Sequence, residues 1–75
     1  MQISLNDIKK VKEFIAITSK YECDIDAISV KYPRNVVDAK SILGLFSLDL
    51  SSPIRIDYKG IDKDSFYKEI SCYEI

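Results

Sequence analysis

Apolar positions along this chain change their period from segment to segment, and each change marks an element. Residues 2 to 5, QISL, alternate polar and apolar and read as a short strand with Ile3 and Leu5 on one face. The next segment, NDIKKVKEFIAITSKYE, repeats Ile8, Val11, Phe14, Ile15, Thr18 and Tyr21 at three- and four-residue spacing. That draws a single apolar stripe on a helix, with Lys9, Lys12, Glu13, Ser19 and Lys20 on the opposite face. Asn6 or Asp7 is a natural N-cap for it.

Residues 23 to 31, CDIDAISVK, are rich in β-branched side chains. Residues 34 to 39, RNVVDA, follow the turn signal Tyr32-Pro33, so the two segments read as an antiparallel pair. Lys40-Ser41 then opens a greasy stretch, ILGLFSLDL, read as a short helix with Ser41 as its cap. After the breaker SSP, residues 54 to 59 alternate cleanly: Ile54, Ile56 and Tyr58 inward, Arg55, Asp57 and Lys59 outward. Gly60 makes a turn, and residues 62 to 75 supply a last helix with Phe66, Ile70 and Tyr73 on its inner stripe. The order βαββαβα predicts one α+β domain over residues 1–75, a two-layer open-faced sandwich. Its helices cover one face of a four-stranded, mostly antiparallel sheet.

Composition narrows the function. With 75 residues the chain buries only ~60% of the surface its unfolded form exposes, so the core must use most of its apolar residues. The formal net charge is −1, and the eleven Lys and Arg are spread along the sequence, so the electrostatic footprint of a nucleic-acid binder is missing. No apolar run reaches membrane-spanning length, and the first ten residues carry no secretory h-region, which predicts a cytosolic protein. Cys23 and Cys72 are read as reduced, packed thiols. The chain has no histidine, which excludes imidazole bases, phosphohistidine and histidine metal sites together. Gly44 and Gly60 stand alone, so there is no glycine-rich phosphate loop. No cofactor and no metal are expected.

The run VVDAKSILGLFSLDL resembles the signature around the regulatory serine of HPr, the small phosphocarrier of the bacterial sugar phosphotransferase system, and the element order is also that of HPr. The resemblance extends from about Ile3 to the C-terminus. The hairpin around Pro33 is longer than usual, and the last helix is cut short. It implies a protein that docks partners: an enzyme I-like protein, transporter subunits, a serine kinase or a transcriptional regulator. In HPr the loop into the first helix reads Gly-Leu-His-Ala-Arg-Pro, and the histidine carries phosphate. Here Asp7 falls at the histidine and Lys9 at the arginine, while Lys10 replaces the helix-opening proline. An acyl phosphate differs from a phosphoramidate in geometry, lability and charge, so phosphocarrier activity is not expected.

Asp7 is read first as an N-cap and second as an aspartyl-phosphate site. Ser41 is an N-cap by local chemistry. By resemblance it is also the serine that an ATP-dependent kinase modifies, and the two readings are compatible. On a short helix over a sheet, Ala39, Leu45, Leu48 and Leu50 can face inward. Ile42, Leu43 and Phe46 then remain outside and, with Lys40, form the expected partner-binding patch. Gly44 would allow a partner or the neighbouring backbone to come close. The sequence thus predicts a non-enzymatic regulatory adaptor. The alternatives are an acyl-phosphate protein using Asp7, or an unrelated α+β module in which residues 38 to 50 are merely core.

Overall fold

The computed structural model describes residues 1–75. The elements are β1 (Gln2–Ile3), α1 (Ile8–Thr18), β2 (Ile25–Ser29), β3 (Val36–Asp38), α2 (Ile42–Phe46), β4 (Ile54–Tyr58) and α3 (Lys63–Ile70), followed by one 3₁₀ turn, Ser71–Tyr73. The strands form a single sheet in the order β1-β4-β2-β3, with every neighbouring pair antiparallel. This is the open-faced α+β sandwich the hydrophobic pattern predicts.

Register follows from which side chains must leave water. Ile25 pairs with Tyr58, Ala27 with both Ile56 and Val37, and Ser29 with Ile54, which in turn pairs with Ile3. All but Val37, which is half-buried, are buried, so the period-2 alternation aims one continuous set at the helices. A slip of one residue would turn that set to solvent. From α1 come Val11, Phe14 and Thr18; α3 adds Phe66 and Ile70, and α2 adds Leu45. Ile8, the first member of the predicted stripe, is 60% exposed. Helical side chains lean toward the N-terminus, so in the first turn the stripe points past the core.

Aromatic rings join the layers. Tyr58 stacks on Phe66 at 4.8 Å, and Tyr21 meets both edge-on at 5.7 and 5.2 Å. Such pairs contribute roughly 0.5–1.5 kcal/mol beyond area burial. Gly60 permits this corner. A Cβ there would lie 2.6 Å from the Cys23 sulfur and 2.7 Å from the Tyr58 hydroxyl, closer than atoms approach without displacement. That hydroxyl accepts the Asp62 N–H at 3.2 Å. The fully buried Thr18 hydroxyl donates to the Ala39 carbonyl at 3.1 Å, tying the end of α1 to the corner between β3 and α2. No buried side-chain polar atom lacks a partner.

Two expectations are corrected. The last helix ends at Ile70 rather than running to residue 75. The chain then turns so that Tyr73 packs edge-on against Phe14, at 6.3 Å between ring centres, and its backbone carbonyl accepts from the Ser4 N–H at 2.9 Å. The Ile75 N–H donates to the Gln2 carbonyl. The free edge of β1 therefore finds partners in the chain's own last residues, something a continued helix would not supply. Cys72 lies on that turn between buried Ile70 and Tyr73 and is exposed, not packed; Cys23 is half-buried, and both thiols are free.

Burial, with Cys72 and Glu13 close by, pushes the Tyr73 hydroxyl up to about 12. Its neutral form is the one the fold prefers. Stability from this group is therefore complete below the ordinary phenol value of about 10 and is lost as pH rises through about 12. Tyr58 and Tyr21, raised chiefly by burial, act in the same sense. Circular dichroism between roughly pH 9 and 12 should show stability falling, and Tyr73→Phe should make that fall shallower. Identical pH profiles for the two proteins would refute the assignment.

Candidate functional site

The chemistry-bearing residues lie at two helix starts. At the first, Asp7 is extended (φ −149°, ψ 164°), and its Oδ1 accepts the Lys10 N–H at 2.8 Å. This is the N-cap geometry, which supplies an acceptor to an otherwise unpartnered donor and places a negative charge at the positive end of the helix. The Lys10 ammonium donates to Asn6 Oδ1 at 3.1 Å and so belongs to the same cap. Lys9 is exposed. The cap engages one oxygen of the Asp7 carboxylate, and no cluster of three or more His, Cys, Asp or Glu residues gathers anywhere in the fold to hold a metal ion.

At the second start, Ser41 is likewise extended (φ −99°, ψ 116°), and its Oγ accepts the Gly44 N–H at 3.0 Å. Gly44 has a steric role here. A Cβ would come within 3.2 Å of both Ser41 Oγ and Val37 Cβ, so its absence lets α2 press against β3. The neighbouring strand accounts for this glycine. Lys40 is half-buried: its N–H donates to Asp38 Oδ1 at 2.9 Å, and its ammonium donates to the Tyr21 carbonyl just beyond α1. Lys40, expected in the partner-binding patch, is turned back onto the fold by these two bonds.

The apolar residues of α2 and its flanks divide as expected. Ala39, Leu45 and Leu48 are buried and Leu50 is half-buried, while Ile42 is 40%, Leu43 80% and Phe46 44% exposed. A helix of five residues presents only about one and a half turns, so one side is anchored and the other has nothing to lie against. The three exposed side chains form an apolar patch beginning immediately after Ser41.

The two sites stand apart. Thr18, at the far end of α1, bonds Ala39, and the 11 residues of α1 span roughly 16 Å. Asp7 is thus at one end of the helix and Ser41 beside the other.

Sequence reasoning missed a cleft of about 470 Å³ between the end of α1 and the end of β4, lined by Tyr21, Cys23, Tyr58 and Asp62 among others. Its cation, Lys20, is already paired with Glu69 at 2.7 Å, and this pair holds the Glu69 carboxyl below its usual range. The signal lay in the tyrosines, but nothing in their spacing said that residues 21 and 58 would meet.

Both caps are testable as structure. Ser41→Ala and Asp7→Ala should each cost about 1 kcal/mol in denaturant unfolding, whereas Ser41→Asp, which keeps an acceptor at the cap, should cost less. Equal losses for the alanine and aspartate variants at position 41 would show that the cap is not the source.

No family model and no curated protein matches the chain. A solved structure does: the chain resembles the crystal structure of a phosphocarrier protein HPr from Bacillus anthracis str. Ames. The TM-score is 0.75 and the sequence identity 24%, with 100% of this chain and 96% of that chain covered. No helix is long and apolar enough to cross a membrane. By fold, then, the chain is an HPr-like open-faced sandwich built without a single histidine.

Proposed function

We propose that this protein is a regulatory adaptor of the phosphotransferase system, cytoplasmic and non-enzymatic, that works by docking protein partners rather than by carrying phosphate. The observation that carries the reading is the division of α2, where Leu45 is sealed in the core while Ile42, Leu43 and Phe46 stand in water. Exposed apolar side chains grouped on one short helix are costly to leave uncovered and are the usual core of a partner surface. The HPr-like fold and the lack of histidine supply the rest: a scaffold of the phosphocarrier type without the ring nitrogen that a phosphoramidate requires. Enzyme I-like proteins, transporter subunits and transcriptional regulators of that system are the partners this reading favours.

Ser41 is the proposed control point. A phosphate there would keep an acceptor beside the Gly44 N–H and add close to two negative charges at the edge of the apolar patch. The helix would keep its cap, while an apolar partner would meet a charge at its rim. This makes Ser41 a switch of docking rather than of folding.

The reading is tested by two labelling reactions and one binding measurement. Phosphoenolpyruvate with enzyme I should leave the protein unlabelled; label on Asp7 or elsewhere ends the non-carrier claim, and hydroxylamine lability would identify an acyl phosphate. ATP with the serine kinase of the system should label Ser41 and leave Ser41→Ala blank. In calorimetry against a partner of the system, Phe46→Ala should weaken binding roughly tenfold or more at unchanged folding stability. Unchanged affinity would remove the patch from the interface.

A further inference from the structure

The tip of the β2–β3 hairpin, Lys31 to Asn35, lines a depression of about 350 Å³. A second depression of about 240 Å³ opens on the face of the sheet away from the helices, lined by Gln2, Arg55 and the same Pro33. Pro33 is therefore a shared wall, with Arg34 on one side and Arg55 on the other. These are the only arginines in the chain, and the fold brings them together from 21 positions apart. Neither joins an ion pair; the three in the structure involve Lys20, Lys31 and Lys59. No Asp or Glu lines either depression. Lys31 adds a third cation, 3.8 Å from Asp49 and with 56% of its side chain exposed.

The surface is also held in shape. The Tyr32 N–H donates to the buried Ser29 hydroxyl at 2.9 Å, the Asn35 N–H to the Tyr32 carbonyl at 2.9 Å, and the Val30 N–H to the Pro53 carbonyl at 3.2 Å. Tyr32 and Val36, each about half exposed, supply apolar area beside the guanidinium groups. A fixed turn carrying Arg34 and an exposed tyrosine, beside Arg55 on strand β4, loses little conformational freedom when a ligand binds.

Charge complementarity selects the ligand. Arginine forks match carboxylates in a bidentate manner. The favourable field is short, however, because the next cross-strand row on the same face is Asp38, Asp26 and Asp57, three carboxylates of which Lys59 pairs with one, Asp26, at 3.1 Å. That row repels a long polyanion such as a nucleic-acid strand. A short anion bearing a few carboxylates and some apolar surface fits the space between.

We propose that the hairpin end of the open sheet face binds a short acidic peptide segment of a protein partner, with Arg34 and Arg55 taking its carboxylates on either side of Pro33 and Tyr32 covering its apolar part. This site is on the opposite face of the sheet from α2 and does not depend on the docking patch there.

Titrating the ¹⁵N-labelled full-length chain with a hexaglutamate peptide should move amide signals of residues 30–36 and 54–56 and leave 42–46 unmoved. The combined Arg34→Gln and Arg55→Gln substitutions should weaken binding roughly tenfold or more, and raising the salt should weaken it further. Both residues are exposed, so the spectrum elsewhere should be retained, and the shift map of the unaltered protein decides the matter if it is not. Hexaglutamine should not bind. No shifts, shifts confined to 42–46, undiminished binding by the double variant, or equal or tighter binding of single-stranded oligothymidine would each overturn the proposal. So would hairpin signals that move on concentrating the protein without peptide, since the occupant would then be a second copy of this chain.

Discussion

A single apolar layer between the sheet and its helices holds this protein together, and the rest follows from how little of it there is. Fifteen buried residues form the core, and no second layer lies on the far side of the sheet. Strand side chains therefore divide sharply. Ile25, Ala27, Ser29, Ile54, Ile56 and Tyr58 meet the helices, while Arg55 and Asp57 face water, Asp26 is half-exposed, and Ile28 alone on the outer face is buried. With so small a core, each element contributes only a few anchors: three from α1, two from α3 and one from α2. An element held by one buried leucine on five residues must leave its other apolar side chains outside. The exposed patch on α2 is thus a geometric consequence of a short helix over a finished core.

The same economy explains the caps. Asp7 and Ser41 do equivalent work, each accepting the N–H three residues on from an extended backbone. The groups that look most like chemistry are at the same time the groups that start the helices. This is why local sequence alone could not separate structure from function at either position. Surroundings separate them. Asp7 is joined by Lys10 and Asn6 in a closed local cap, whereas Ser41 opens directly onto Ile42, Leu43 and Phe46.

Periodicity made the element order, the sheet faces and the division of α2 legible, because each depends on neighbours three or four residues away or fewer. What it missed is non-local. The spread of lysines and arginines along the sequence suggests a surface without a basic cluster, yet residues 34 and 55 line two depressions that share Pro33, because the β2–β3 hairpin turns beside the start of β4. The sequence places Lys40 with the partner-binding patch; the carbonyl that its ammonium meets, Tyr21, is 19 residues back and invisible to local pattern. Tyr73 continues the apolar spacing of the last helix, which is why the pattern predicts helix through residue 75. The pull of an unpaired β1 edge and of the Phe14 ring cannot be read from that spacing.

The position of the sheet gives the two surfaces their relationship. The α2 patch belongs to the helix layer, and the arginine pair belongs to the end of the bare face, so the sheet lies between them. The whole domain measures 28 × 24 × 22 Å, and one bound protein covering about 800 Å² would leave the other face open. Phosphate at Ser41 would change the field at the helix face first, since it would stand beside Ile42 and the Gly44 N–H. On the two proposals above, a domain arranged in this way would hold one partner by charge and release another on modification of Ser41. For a chain that has no group able to carry phosphate through a histidine, this is a physical basis for regulation by assembly alone.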